Sequence, residues 1–299
     1  MPELPEVESI RRGLEHFCVG KRIEQISSDW PKSFPNEPME VEAFLIGQRI
    51  SRFLRRGKLL MIELENSYVL AVHLKMTGQL VYVGPETEET VGRLYPNRYT
   101  HVSLCLTDGS HICFNDQRKF GYMKLLSPQE LAELPFLRSL GPEPLEAGFT
   151  KAGFYRSLQK KHSPIKAVLL DQTTLAGVGN IYADESLLLA KIHPLTPADE
   201  VSRAAADRLH TAIRQVLQAS LEYGGSSRRD YINAVGQKGD YLDSAYAYGR
   251  AGEPCRVCGH MIEKTKVAGR GTHICPHCQR LKAVRKVGSE PQNKGGLSD

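Results

Sequence analysis

The sequence predicts an α+β protein in which a strand-rich N-terminal part precedes a helical C-terminal part. Segments rich in Val, Ile, Leu and Phe follow one another between residues 50 and 126, which is typical of antiparallel strands. After about residue 140 the apolar residues recur at helical spacing instead. Two C-x-x-C pairs near the C-terminal end indicate a third, small unit.

The N-terminal part begins with a helix and continues with strands. Pro5 suits the first turn of a helix. Apolar residues then recur at helical spacing, namely Val7, Ile10, Leu14 and Phe17. The predicted strand segments are 52–64, 68–83, 100–106 and 110–125. Asp108-Gly109, between the last two segments, is typical of a tight hairpin turn. Antiparallel strands in such a series predict a β-sandwich or flattened barrel.

Helical signals dominate the second half. Ser127-Pro-Gln-Glu130 is a capping box with proline at the first helical position. The segment 140–145, Leu-Gly-Pro-Glu-Pro-Leu, is typical of a linker, and we place a domain boundary there. Ser163-Pro164 predicts the cap of the next helix, and Thr196-Pro197 the start of another turn. Residues 202–223 form a long amphipathic helix that ends at Gly224-Gly225.

The net charge of +5 is unevenly distributed. Residues 228–289 contain twelve Lys or Arg and five Asp or Glu, so the rest of the chain is slightly acidic. Such a segment is typical of a polyanion-binding surface, although a solvated charged face has the same composition. No apolar stretch approaches the length of a membrane span, and the acidic start does not fit a signal peptide. We therefore expect the protein in the cytoplasm or nucleoid.

Four of the seven cysteines have the spacing of a zinc site. Cys255 and Cys258 form one C-x-x-C pair, and Cys275 and Cys278 form the second after sixteen residues. Each pair presents two thiolates from a tight turn, and the segment between them can return as a hairpin around Gly269-Arg270-Gly271. Redox cysteines are the alternative. Four sulfurs leave no open position for water, so the spacing predicts one structural Zn²⁺ rather than a catalytic one.

The other cysteines and the nearby histidines have less specific patterns. Cys18, Cys105 and Cys113 lie among apolar residues and are interpreted as buried thiols. His260, His273 and His277 lie close to the zinc cysteines and are alternative ligands.

Seven segments in a fixed order carry a resemblance to a known family. They are Met1-Pro-Glu-Leu-Pro-Glu-Val-Glu8, Arg55-Arg-Gly-Lys58, His73-Leu-Lys-Met-Thr-Gly78, Asn115-Asp-Gln-Arg-Lys-Phe-Gly121, Leu140-Gly-Pro-Glu-Pro144, Gly177-Val-Gly-Asn-Ile-Tyr-Ala-Asp-Glu185 and the finger ending Cys278-Gln279. With these segments the chain resembles the formamidopyrimidine-DNA glycosylases of the helix–two-turn–helix superfamily over nearly its whole length. It departs from the family pattern at Cys105, at Cys113 and in a longer tail beyond Gln279.

The resemblance implies a monomer that holds DNA with oxidised bases or abasic sites in a cleft between domains. The implied division is a catalytic β-sandwich domain at 1–139, a helix–two-turn–helix domain with a lesion-recognition loop at 140–241, and a zinc finger at 242–286. Residues 287–299 are polar without periodicity and predict a disordered tail. The implied activity is removal of oxidised purines (formamidopyrimidines, and 8-oxoguanine opposite cytosine), followed by cleavage of the abasic strand.

Pro2 and Glu3 are the implied centre of the chemistry. Removal of Met1 would leave Pro2 as a terminal secondary amine with a pKa near about 8, so a useful fraction is unprotonated. Attack at the sugar C1′ displaces the base and leaves an iminium that permits β- and δ-elimination. Glu3 is the implied proton shuttle. Without the resemblance, the two residues would be interpreted as the start of a helix. Lys58 and Arg270 complete the implied catalytic set.

The implied DNA contacts are distributed along the whole chain. Met76, Arg118 and Phe120 match the residues that fill the space left by an extruded base. Arg118 and Phe120 are two apart, which on a strand would point them the same way. The remaining contacts, mostly to phosphates, are His73, Lys166, Asn180, Tyr248, Lys264 and Arg270. Residues 225–241 resemble a loop that closes over the extruded base.

Two other functions remain as alternatives. One is an endonuclease VIII-like glycosylase for oxidised pyrimidines. Leu4 and the Asp116-x-Arg118-x-Phe120 motif favour the purine branch instead. The other is a zinc-dependent DNA-binding protein without catalysis, which the intact Pro2-Glu3 pair disfavours.

Overall fold

The computed structural model describes residues 1–227 and 230–281 and confirms the predicted α+β fold class. The predicted tail at 287–299 lies outside the described residues. The α-helices are α1 (Leu4–Cys18), α2 (Pro38–Phe44), α3 (Pro128–Glu133), α4 (Pro135–Ser139), α5 (Lys151–Leu158), α6 (Ile165–Leu170), α7 (Asn180–Ala190) and α8 (Arg203–Glu222). The strands are β1 (Ile23–Ser28), β2 (Ile50–Arg56), β3 (Leu59–Leu64), β4 (Val69–His73), β5 (Gly78–Val83), β6 (Thr100–Leu106), β7 (His111–Asp116), β8 (Tyr122–Leu126), β9 (Glu263–Val267) and β10 (Arg270–Ile274).

The first eight strands form a β-sandwich. They make two four-stranded antiparallel sheets, in the orders β1–β6–β7–β5 and β2–β3–β4–β8. Both sheets contribute apolar side chains to one core, for example Leu80 and Phe114 from the first and Phe53 and Leu70 from the second. The buried stripe of α1, including Ile10, packs into the same core and so fixes the N-terminal end of the chain on the sandwich.

Three of the four predicted strand segments each contain two strands, of which only β2 and β3 pair with each other as a hairpin, whereas β4 and β5, like β7 and β8, lie in different sheets. The segment 52–64 divides at Gly57, 68–83 divides around Lys75, and 110–125 divides around Lys119. Each turn contains a residue with positive φ, of +57°, +50° and +55° respectively. Two of these residues are lysines, which sequence patterns do not associate with turns. β1 and α2 were not predicted at all, because β1 has only Ile23 fully buried and α2 only Val41.

The helical part has a core of its own around α7. Apolar residues of α5, α6, α7 and α8 form this core, and α7 is buried on nearly every side. The predicted cap holds at α3, where Ser127 Oγ accepts the Glu130 N–H, and α8 is capped in the same way, since Ser202 Oγ accepts the Ala205 N–H. The prediction that Ser163-Pro164 caps α6 is wrong in detail, because Pro164 occupies the cap position and no side chain accepts a hydrogen bond there.

The C-terminal unit is a β-hairpin beside the cysteine pairs. β9 and β10 pair in antiparallel register, and the two-residue turn Ala268-Gly269 has φ of +49° and +75°. Such a turn matches the twist of the two strands, and it places Arg270 at the start of β10. No helix in the described ranges is long and apolar enough to cross a membrane.

Ala234 and Glu143 are among the residues that join the second half of the chain to the sandwich. Ala234 packs into the sandwich core, and a Cβ added to Gly13 would lie only 2.7 Å from the Ala234 Cβ, so this contact depends on glycine. In the linker, the Glu143 carboxylate accepts hydrogen bonds from Arg55, Arg56 and the Gly57 N–H. Glu143 therefore fixes the β2–β3 turn against the linker.

Candidate active site

A cavity of about 620 Å³ lies where the sandwich meets the helical part. Its lining includes Pro2 before α1, Met76 between β4 and β5, and Arg118 between β7 and β8. Ile181 of α7 and Tyr248 line the opposite part. The structure thus brings four predicted site residues, Pro2, Met76, Arg118 and Tyr248, around one space.

Glu3 occupies the N-terminus of α7. Its carboxylate accepts the backbone N–H of Gly179 at 2.7 Å and that of Ile181 at 3.1 Å, where the helix dipole favours an anion. The side chain is 3% exposed. Burial raises the pKa of Glu3 to about 7, although nearby Lys58 and the two N–H donors act in the opposite direction. Glu3 can therefore give or take a proton near neutral pH.

The Gly177-Val-Gly179 turn precedes α7, where free N–H groups could bind a phosphate. Instead the N–H groups of Gly179 and Ile181 bind Glu3, and the Gly177 N–H donates to Gln172 at 2.8 Å. A Cβ at Gly179 would lie 2.3 Å from the Glu3 carboxyl carbon, so the close approach requires glycine. The anion bound at the N-terminus of α7 is therefore the Glu3 carboxylate of the protein itself.

Lys58 lies beside Glu3 at the β2–β3 turn. Its ammonium is buried and donates to the Val178 carbonyl at 3.1 Å. Burial lowers the pKa of Lys58 from its ordinary value, while the Glu3 carboxylate acts to raise it. The two predicted catalytic side chains are therefore electrostatically coupled.

His73 ends β4 as a buried, neutral imidazole. Burial and the charge of Lys75 lower the pKa of His73 to about 4. Its Nδ1 accepts the Lys75 backbone N–H at 3.0 Å. The proton of the neutral ring therefore lies on Nε2, which can act as a hydrogen-bond donor.

Arg118 and Phe120 lie on the β7–β8 loop rather than on a strand, which corrects the predicted strand geometry. Both remain on one side of the loop because Lys119 between them has a positive φ. The Arg118 guanidinium lies 4.8 Å from the centre of the Phe120 ring. Phe120 is 54% exposed and Met76 is 41% exposed, unusually high for such apolar side chains.

The finger hairpin brings Arg270 to the same end of α7. Asn180, the first residue of α7, donates its side-chain N–H to the Gly271 carbonyl at 2.9 Å. Arg270 and Lys264 are exposed on the two strands of the hairpin. Tyr248 lies against His273 with 5.1 Å between ring centres.

The structure contradicts direct DNA contact by Lys166. The side chain is completely buried, and its ammonium donates to Asp184, to the Gly271 carbonyl and to Thr272. All three N–H donors are used inside the protein, so none is left for a phosphate.

The four cysteines converge as their spacing predicts. The Sγ atoms of Cys255, Cys258, Cys275 and Cys278 all lie within 4.8 Å of one another, and 3.4 Å separates those of Cys258 and Cys275. Four sulfurs this close fit a tetrahedral zinc site. The cluster packs on Leu188 of α7.

Of the three nearby histidines, His260 and His277 form a smaller group with Cys258, while His273 faces Asp184 instead.

Two buried glutamates with clear functions were not singled out in the sequence. Glu6 accepts the Glu3 N–H and both the N–H and the hydroxyl of Ser226. Glu185 accepts three consecutive backbone N–H groups at 246–248 and so holds the segment that carries Tyr248. Glu185 could have been found from sequence, since it and Asp184 are acids within a helix that is mostly apolar.

Three family models match successive parts of the chain. Residues 1–123 match the formamidopyrimidine-DNA glycosylase N-terminal domain, residues 140–231 match the H2TH domain of the same enzymes, and residues 252–281 match a zinc finger found in FPG and IleRS. A formamidopyrimidine-DNA glycosylase from Latilactobacillus sakei is 43% identical over 93% of this chain and 98% of its own length. Another from Chloroflexus aurantiacus is 45% identical with the same coverage.

Solved structures of the same kind are also similar. The crystal structure of MutM (Fpg) from Thermus thermophilus has a TM-score of 0.82 at 40% identity, covering 93% of this chain and 98% of that one. The Lactococcus lactis Fpg in complex with abasic-site DNA has a TM-score of 0.84 at 36% identity, covering 93% and 100%. A variant of that protein in complex with Fapy-dG-containing DNA has a TM-score of 0.85 at 36% identity, covering 94% and 100%.

The zinc site gives the first prediction. We expect one zinc per chain by metal analysis, and Cys275→Ser should lose most of it and unfold the finger, because metal binding supplies the folding free energy of such units. The thermal transition of the β-sandwich should stay close to that of the parent. Cys105→Ser is the matched control and should keep one zinc per chain. Full zinc content in Cys275→Ser would contradict the four-sulfur site.

Proposed function

The chain belongs to the formamidopyrimidine-DNA glycosylase family, and on that premise we propose that the Pro2 amine is the nucleophile of its reaction. The observation that supports this most directly is that Pro2 lines the cavity while Glu3, with a pKa of about 7, is the next residue. A nucleophile and a proton shuttle are thus adjacent at one space large enough for a base.

The protein is a base-excision repair glycosylase that acts on oxidised purines in DNA, and it carries one structural zinc. Its partner is duplex DNA that contains such lesions or abasic sites. The pyrimidine-specific and the non-catalytic alternatives are not favoured, since the relatives are named as formamidopyrimidine-DNA glycosylases. We further propose a lyase activity, a monomeric state and action on the genome in the cytoplasm.

The proposed reaction begins when removal of Met1 leaves Pro2 as a secondary amine. Its lone pair forms a bond to the sugar C1′, and the bond to the damaged base breaks. The new ammonium then loses its proton and the C1′–O4′ bond opens to give an iminium, with Glu3 supplying a proton to the ring oxygen or to the departing base. The iminium that results acidifies the C2′ proton. Loss of that proton expels the 3′-phosphate by β-elimination, and δ-elimination then releases the 5′-phosphate.

The other site residues have proposed roles in holding the substrate. Lys58 and Arg270 assist catalysis from opposite sides of the start of α7. His73, Asn180, Tyr248 and Lys264 contact phosphates. Met76, Arg118 and Phe120 fill the space left by the extruded base, which accords with the exposure of Phe120 and Met76. Residues 225–241 cover the extruded base. We keep the proposed domain limits at 1–139, 140–241 and 242–286.

Borohydride trapping tests the nucleophile. With an oxidised-guanine duplex, borohydride should reduce the iminium and leave the parent covalently linked to DNA through Pro2. Pro2→Gly should lose most base release and most trapping, because the secondary amine is gone. Pro5→Ala, which changes a proline in the first turn of α1, should be trapped like the parent. A cross-link that maps to a lysine in a fully active Pro2→Gly chain would overturn the assignment.

The pH profile tests the coupling of Glu3 and Lys58. If protonated Glu3 is the acid, kcat/KM should fall as pH rises through about 7. Lys58 stabilises the Glu3 carboxylate, so Lys58→Met should raise the pKa of Glu3 and shift this limb to higher pH. Glu3→Gln should lower the rate by roughly a hundredfold or more and remove the limb. Lys75→Met, which removes a lysine that does not act on Glu3, should leave the limb in place. An unmoved limb in Lys58→Met would contradict the coupling.

The base opposite the lesion tests Arg118. We expect Arg118 to donate hydrogen bonds to O2 and N3 of the unpaired cytosine, whereas adenine presents a donor at its Watson–Crick edge. A mispaired hydrogen bond to a charged group costs about 1.5–3 kcal/mol, or roughly ten- to a hundred-fold in rate. Excision should therefore be efficient opposite cytosine and poor opposite adenine, and Arg118→Ala should lose this preference.

The matched control for Arg118 is Lys119→Gln. This neighbouring cation lies over the Trp30 ring, 4.4 Å from its centre, so it should not read the opposite base and the preference should remain. Equal excision opposite both bases by the parent would show that Arg118 does not read the second strand.

A further inference from the structure

The Lys166 side chain is fully buried, although the neighbouring residues Asn180 and Arg270 are proposed to bind DNA. Its ammonium donates to Asp184 Oδ1 at 2.6 Å, to Thr272 Oγ1 at 2.7 Å and to the Gly271 carbonyl at 3.0 Å. Lys166 lies on α6, Asp184 on α7, and the other two acceptors on β10. One ammonium therefore joins two helices of the helical part to the finger hairpin.

Asp184, the partner of Lys166, also binds a further residue of β10. Asp184 Oδ2 accepts the His273 backbone N–H at 2.9 Å and faces His273 Nδ1 at 3.2 Å. The side chains of Lys166 and Asp184 are both 0% exposed. Removing one partner from such a pair leaves a buried charge without compensation, which strongly favours displacement of the surrounding segment.

Arg270 directly precedes the segment that this pair holds. Gly271, the next residue, also receives the Asn180 side-chain N–H at 2.9 Å through its carbonyl. The Arg270 side chain itself makes no hydrogen bond or ion pair with any residue in 1–227 or 230–281. The place of its guanidinium therefore depends on the backbone of β10, which Asn180 binds at Gly271.

We propose that Lys166 is a positioning residue that sets Arg270 beside Asn180 at the N-terminus of α7 and does not itself touch DNA. This inference rests on the proposed phosphate contact of Arg270. Loss of Lys166 should therefore weaken DNA binding although the side chain is inaccessible. Without Lys166, the backbone of β10 would shift and the Arg270 guanidinium would shift with it.

A double-mutant cycle tests the inference, with Kd for a duplex containing a tetrahydrofuran abasic analogue measured across salt concentrations. Arg270→Ala should weaken binding and lower the slope of log Kd against log salt by about 0.9, the value for one phosphate contact. Lys166→Met should do the same. The double variant should bind within about twofold of Arg270→Ala and show the same slope, because both changes remove one contact.

The control is Lys191→Met, an exposed lysine that follows the far end of α7, and it should leave Kd and slope unchanged. Zinc content is measured for every variant. If Lys166→Met loses zinc, Thr272→Val replaces it in the cycle, since this change removes one acceptor of Lys166 without stranding a charge. Thr272→Val should weaken binding less than Arg270→Ala and add nothing to it.

Each contrary outcome has a distinct meaning. The fold-changes in Kd of the two single variants could multiply in the double variant, with a slope change of about 1.8. That result would show that Lys166 makes a separate phosphate contact and would overturn the inference. Wild-type binding by zinc-loaded Lys166→Met or by Thr272→Val would overturn it as well. Unchanged binding by Arg270→Ala would instead refute the proposed role of Arg270.

Discussion

The contact between the Glu3 carboxylate and the N-terminus of α7 is the interaction on which the site depends. Glu3 belongs to the start of the sandwich domain, whereas Gly179 and Ile181 belong to the helical part, so their two hydrogen bonds fix the relation of these parts beside Pro2. The adjacent backbone pair from the Leu4 N–H to the Gly177 carbonyl, at 3.0 Å, adds to the same junction. Pro2, the proposed nucleophile, lies at a chain end, where residues are otherwise among the most mobile of a domain. Here the junction holds it against the cavity.

Buried acids on α1 and α7 organise most of the surrounding segments. Glu6 binds Ser226 at the start of the loop that leads to Ala234, Asp184 binds the finger hairpin through Lys166, and Glu185 binds the backbone before Tyr248. A buried carboxylate is costly unless donors surround it, so each acid requires its partner segment in one position. Burial raises the pKa of Glu185 although three N–H groups and Tyr241 oppose this. These acids therefore contribute more to the fixed position of the segments around the cavity than to the free energy of unfolding.

The features that could be predicted from sequence were local ones. The zinc cysteines have a fixed spacing, α1 and α8 have apolar stripes with caps, and the motifs of the family occur in order. The turns at Lys75 and Lys119, each of which carries the chain from one sheet of the sandwich to the other, were not predicted, because lysine gives no local signal for the positive φ that these connections require. Lys166 was expected to contact DNA on the strength of the resemblance, yet its side chain is buried. Its burial depends on Asp184 and Thr272, which lie 18 and 106 residues away, and no local pattern reports such a pairing.

The burial of Glu3 and Lys58 side by side also links their pKa values. Burial raises the pKa of the acid and lowers that of the amine, while the attraction between their charges acts against both changes. Neither group can be moved toward solvent without altering the other. The Glu143 carboxylate, which accepts hydrogen bonds from the β2–β3 turn, holds Lys58 at the depth where these effects oppose each other. The position of a linker glutamate thereby bears on proton transfer at Glu3, although the two carboxylates lie in different parts of the fold.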